Sequence, residues 1–135
     1  MPKALRIILS HRVPILTVLA ILAYAVVVIR TAWMSDDAFI TLRTVDNFTN
    51  GYGPRWNTIE RVQAYTHPLW MLLLSGLYLL THEPFYTTLF ASILASVLTA
   101  IIVVQTLGWS RPISPVAVAL FTVSKAFTDY STSGL

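Results

Sequence analysis

Two long apolar runs enclose a polar stretch, and that pattern limits the chain more than any other feature. The first run, Pro14 to Ile29, reads PILTVLAILAYAVVVI, and the second extends from Phe85 to Leu107; neither contains a charge. With its flanks Val13 and Thr31 to Met34, the first reaches the ~20 residues needed to cross a hydrocarbon core of roughly 30 Å. Between the runs, Ser35 to Trp70 carries Asp36, Asp37, Asp46 and Glu60, four of the six acidic residues. A polar stretch so enclosed must sit in water at a membrane face. Composition agrees: 56% of the residues are hydrophobic and 11% charged, against about 25% charged in ordinary soluble domains.

The leader Met1 to Arg12 carries Lys3, Arg6 and Arg12 and no acid. A basic leader before an apolar run also describes a secretory signal. This run, however, is long, ends in Arg30 and Trp33, and offers no small-x-small site beside a polar stretch, so it reads as an uncleaved first span. Its basic leader predicts a cytoplasmic N-terminus and an outward-facing polar stretch. The remaining basic residues are scattered, partly at segment ends, which is no nucleic-acid footprint. Cysteine is absent, which removes disulfides and thiolate metal sites.

Within the polar stretch, Ser35 or Asp36 can cap a helix. Phe39, Leu42, Val45 and Phe48 recur at every third position and predict an amphipathic helix on the membrane surface. Asn50-Gly51 ends it, and Gly51-Tyr52-Gly53-Pro54 is turn-rich. Pro68 to Leu80, PLWMLLLSGLYLL, is about 13 residues long, the length of a re-entrant or interfacial segment. If it does not cross, Arg111 is cytoplasmic and Glu83 and Asp129 lie outside; if it does, Arg111 moves out. Lys/Arg bias favours the first arrangement. The expected fold is an all-α polytopic membrane protein with about three transmembrane helices, at 13–34, 85–107 and 113–128. An outward loop, 35–82, would carry juxtamembrane helices.

Asp36 and Asp37 directly follow the first span. A carboxylate there can take a proton from an acceptor hydroxyl or hold a divalent cation bridging a phosphate. Acids at a helix start equally serve as caps and complement the macrodipole. Arg43 and Arg61 offer paired donors to a lipid phosphate; alternatively each is a solvated interfacial arginine or a partner for Asp46 or Glu60. His67, before Pro68, is either a phosphate or acid–base contact or a helix-start residue. His82-Glu83 lacks a second His at helical spacing and is no zinc-protease motif. Asn47-Phe48-Thr49 fits the glycosylation acceptor pattern, a short match. Trp33, Trp56, Trp70 and Trp109 suit interfacial belts, with stacking on a sugar as the alternative.

Three stretches carry a family resemblance: SDDAFITLRTVDNFTNGYGPRWN, then ERVQAYTHPLW, then the terminal DYSTSGL. As an ordered set they resemble the N-terminal part of polytopic GT-C glycosyltransferases, which take sugars from polyprenyl-phosphate donors. Within that group they are similar to the branch holding the terminal arabinofuranosyltransferases of bacterial cell walls and the flagellar motor control proteins. The resemblance implies an incomplete GT-C fold in the bacterial plasma membrane. It implies transfer of a sugar from a polyprenyl-phosphate donor to a glycan or protein acceptor on the outer face, with Asp36 or Asp37 as catalytic base. Arg43, Arg61, Tyr65 and His67 become candidates for holding the donor phosphate or shaping the sugar site. No metal is predicted, since divalent-cation use varies across GT-C enzymes. The chain alone is expected to be too short for turnover, needing a missing C-terminal part or a partner subunit. The rival expectation is a small non-catalytic membrane protein acting in assembly or beside a motor.

Overall fold

A computed structural model of the chain describes residues 3–60, 62 and 64–134, with side chains from Arg12 onward. Among these residues all regular structure is helical: α1 (Lys3–Arg30), α2 (Asp36–Thr49), α3 (Pro68–Thr81), α4 (Pro84–Leu107), α5 (Ile113–Val123) and α6 (Lys125–Tyr130). They form two compact units, one from Met1–Ala32 and Ile93–Ser131, the other from Trp33–Ser92 and Thr132–Leu135.

In the first unit, α1 between Val13 and Ile29 and the greater part of α4 carry no charged residue and lack the charged face of a surface helix. Arg12–Arg30 and Pro84–Leu107 are the two described helices long and apolar enough to cross a membrane, measuring ~28 and ~36 Å at 1.5 Å per residue. A soluble core helix of that composition would be mostly covered, yet only 28% and 33% of these windows are buried. Ile15, Leu16, Leu19, Leu22 and Val26 stand exposed along α1, as do Leu94, Leu98 and Ile102 along α4. So much apolar surface is stable only against lipid or further protein. This is the make-up of a helical membrane protein.

The covered faces of the first unit meet in one cluster. Ile21, Tyr24 and Val28 pack with Ala100, Val104 and Val118, and Phe121 and Phe127 stack beside them at 4.4 Å between ring centres. Tyr24 brings the polar group that such a core must satisfy. Its hydroxyl lies 2.6 Å from Ser96 Oγ, Ser96 donates to Ser131 Oγ at 2.7 Å, and Ser131 donates to the Phe127 carbonyl at 2.6 Å. Each hydroxyl can thereby donate once, and the chain ends on a backbone acceptor.

In the second unit α2 packs on α3. Leu42 and Val45 meet Met71, Leu74 and Ala91, with Tyr65 and Trp70 against them. The expected apolar stripe on α2 is corrected here: Leu42 and Val45 are buried, but Phe39 and Phe48 are exposed. Spacing by threes sweeps ~60° around a helix at each step, which puts Phe39 and Phe48 ~180° apart. The buried face is instead Ala38, Thr41, Leu42, Thr44, Val45 and Asn47. At ~21 Å, α3 is shorter than either of the two long apolar helices; it opens on Pro68 and closes on His82 in the left-handed region, φ 52°. Glu83 caps α4, its carboxylate accepting from the N–H groups of Phe85 and Tyr86 at 3.3 and 2.7 Å.

Two segment bounds differ from the sequence reading. The first apolar helix ends at Arg30 rather than Met34. The 113–128 segment is two helices, because Ser124 leaves helical geometry (φ −76°, ψ 103°) and its hydroxyl caps α6 by accepting from Phe127 N–H at 3.4 Å. Alone, α5 measures only ~17 Å, so a third crossing does not follow from helix length.

Candidate functional site

The start of α2 determines where the paired acids stand. Ser35 has extended backbone and is the N-cap: its hydroxyl accepts from Ala38 N–H at 3.3 Å. Asp36 and Asp37 therefore occupy the first turn, both exposed, where the macrodipole favours negative charge. Their directions differ. Asp37, one and three residues before Ala38 and Ile40, lines a groove of about 410 Å³ with Ile40, Thr41, Ala64, Thr66 and His67. Positions 37, 40 and 41 share a helix face by their spacing, and Asp36 is not among the lining residues.

His67 brings the other titratable group to this groove. It occupies the N-cap position of α3 but its ring makes no capping bond. Instead Nδ1 lies 2.9 Å from Thr66 Oγ1. The structure thus brings together Asp37 and His67 from positions thirty residues apart, which α2–α3 packing makes neighbours of one cavity.

The groove continues both ways. At Ile40 and Ala64 it meets a second cavity of about 360 Å³, also lined by Trp56, Asn57, Glu60 and Val62. At His67 it meets an apolar slot of about 400 Å³ lined by Pro68, Leu69, Trp70 and Leu73.

Other sequence candidates fall elsewhere. Arg43 is spent on the loop: Nε donates to the Trp56 carbonyl at 3.1 Å, and its guanidinium carbon lies 4.8 Å from the Trp56 ring centre. It does not pair with Asp46, which accepts from Tyr78 Oη at 2.9 Å and from Asn50 Nδ2 at 3.0 Å. Tyr65 packs against the α2–α3 core rather than lining the groove. Arg61 lies outside the described residues. Asn47 is buried, and its amide donates to the Arg55 and Trp56 carbonyls at 2.9 and 2.8 Å, so the glycosylation pattern presents no free acceptor nitrogen. Among the described residues no three His, Asp or Glu side chains gather where they could hold a metal ion.

Sequence reasoning missed the part played by Thr132 to Gly134. Trp33 N–H donates to Thr132 Oγ1 at 3.2 Å, and Trp70 Nε1 donates to the Gly134 carbonyl at 3.1 Å. The only signal was Ser133-Gly134 within the DYSTSGL stretch. It also missed Trp56, Asn57 and Glu60 as a group, for which no pattern in the chain gave notice.

Similarity to known proteins is local. Over 38 residues the chain is 55% identical to a terminal beta-(1->2)-arabinofuranosyltransferase of Corynebacterium glutamicum, a match covering 28% of this chain and 6% of that protein. Over 42 residues it is 50% identical to a terminal beta-(1->2)-arabinofuranosyltransferase of Mycobacterium tuberculosis, covering 31% of this chain and 7% of the relative. No family model matches, and no solved structure matches. The two similarities mark an arabinofuranosyltransferase-like segment, which spans less than a tenth of either relative's length. Neither match gives support to the flagellar motor control branch.

Proposed function

We propose that this chain carries reaction-site residues of a membrane glycosyltransferase that moves a sugar, arabinofuranose by analogy with the relatives, from a polyprenyl-phosphate donor to a hydroxyl of an envelope glycan. The observation that carries this reading is the groove shared by Asp37 and His67. Asp37 accepts the proton of the acceptor hydroxyl as its oxygen bonds the anomeric carbon, and the bond from that carbon to the phosphate oxygen breaks. His67 stands where its ring can hydrogen-bond the departing phosphate. The apolar slot from His67 to Leu73 then suits the first isoprene units of the donor. Asp36, outside the groove, complements the helix dipole.

In this reading α1 and α4 cross the bilayer, α5 continued by α6 returns, and the stretch from Ser35 to Thr81 stays on the outer face. The basic leader with Lys3, Arg6 and Arg12 supports a cytoplasmic N-terminus. The matches span only 6% and 7% of the relatives' lengths, so the test uses membranes in which this chain is expressed with whatever it needs for transfer. Radiolabelled polyprenyl-phosphate sugar and a soluble glycan acceptor are supplied. Asp37→Asn is expected to lower transfer by ~10²–10⁴-fold, the span of a lost general base, with Asp36→Asn close to wild type. Undiminished transfer by Asp37→Asn overturns the assignment.

A further inference from the structure

We infer that the Trp56–Glu60 end of the groove is the acceptor subsite, receiving a neutral sugar ring of the glycan beside Asp37. This rests on the reading of Asp37 as base. The cavity there adjoins the Asp37 groove at Ile40 and Ala64, so a ring seated in it lies next to the carboxylate. Its lining combines an indole, a carboxamide and a carboxylate with no basic residue among those described. An aromatic face takes the apolar C–H side of a sugar. Asn57 both donates and accepts, and Glu60 accepts from neighbouring hydroxyls.

Trp56 is also held in advance. Its carbonyl accepts from Arg43 Nε at 3.1 Å and Asn47 Nδ2 at 2.8 Å, and the Arg43 guanidinium lies over its ring. A side chain fixed before binding loses little entropy when it is occupied. Arg43 therefore acts on the acceptor through Trp56, not on the donor phosphate.

The test reads binding without turnover, so it is separate from the Asp37 transfer assay. The chain in nanodiscs is titrated with an uncharged furanosyl trisaccharide, followed by ligand-observed saturation-transfer NMR. Wild type is expected to bind, Trp56→Ala to weaken binding about tenfold, and Trp56→Phe to retain most of it, as expected for loss and retention of an aromatic contact. Should Trp56→Ala lose its helical circular dichroism, the surface variants Asn57→Ala and Glu60→Ala carry the test, each weakening binding. No binding by wild type, or unchanged binding by those variants, overturns the subsite. So does displacement of the trisaccharide by a soluble sugar phosphate that binds more tightly to Glu60→Gln. If the trisaccharide binds as stated while Asp37→Asn still transfers, the base assignment fails and the subsite stands as a sugar site.

Discussion

Ser35 and Ser133, 98 residues apart, meet at one carbonyl: the Ser35 N–H and hydroxyl both donate to Ser133 O, at 2.9 and 3.0 Å. The same Ser35 hydroxyl accepts from Ala38 N–H. A helix cap is ordinarily a local device, settled within four residues. Here its orientation is set by the far end of the chain, and the first turn it fixes is the one that presents Asp37.

Gly134 is the residue on which that junction depends. Its φ is +85°, and a Cβ there would lie 2.6 Å from Ala38 Cβ and 3.3 Å from Met34 Cγ. Gly134→Ala combines left-handed strain of about 1–2 kcal/mol with overpacking of about 1–3 kcal/mol. Denaturant unfolding in detergent should show a loss on that scale. Adding Ala38→Gly should recover the overpacking part and leave the strain. A Gly134→Ala chain as stable as wild type would mean that the terminal segment does not dock on α2.

Asn47 should behave as a structural residue and not as a modification site. Its buried amide serves two carbonyls, so Asn47→Ala leaves the Arg55 carbonyl without this donor and the Trp56 carbonyl with Arg43 Nε alone, at about 1–3 kcal/mol. The affected backbone is the Arg55–Trp56 turn. Hydrogen exchange of the turn that follows α2 should therefore accelerate in Asn47→Ala while α1 is unchanged. Expression in a glycosylating host should leave the intact mass unaltered; a glycan on Asn47 would contradict the burial.

The Tyr78–Asp46 bond makes the second unit sensitive to alkali. The Tyr78 hydroxyl is pushed above its ordinary value of 10.0, first by the bond it donates to Asp46, then by burial and by the nearby carboxylates. The folded state thus holds this proton more tightly than the unfolded chain. Its stabilising contribution is complete below pH ~10 and is lost as pH rises through the raised folded value. Tyr78→Phe has no proton to release there. It should be less stable than wild type at neutral pH, with the difference shrinking above pH ~10. Unfolding curves that stay parallel from pH 8 to pH 11 would refute the coupling.

What the sequence revealed and what it hid divide along physical lines. The apolar windows at 12–30 and 84–107 were legible because crossing a bilayer demands length and lack of charge, both properties of a single segment. That α2 exists was legible, with Ser35 or Asp36 as its cap, and the structure puts Ser35 there. Which side it buries was not, because Phe39 and Phe48 diverge around the helix and small residues such as Ala38 and Thr44 do the packing. Arg43 was a candidate for a lipid phosphate, or for a place in solvent or beside Asp46 or Glu60. It instead reaches Trp56, in a loop whose path no periodicity encodes. The Asp37–His67 groove was legible only as two separate candidates; their meeting depends on α2–α3 packing.

Topology offers the most direct check, because the chain contains no cysteine. Thr58 and Ser110 are both exposed, one in the loop after α2 and the other in the turn before α5. If α3 lies along the membrane and only α1 and α4 precede Ser110 as crossings, Thr58→Cys faces outward and Ser110→Cys faces the cytoplasm. An impermeant maleimide added to intact cells should then label Thr58→Cys and spare Ser110→Cys until the membrane is opened. If α3 crosses, despite its length of only ~21 Å, both positions label from outside. Thr58→Cys protected in intact cells would reverse the orientation drawn from Lys3, Arg6 and Arg12. It would place Asp37 on the cytoplasmic face, away from any acceptor outside the cell.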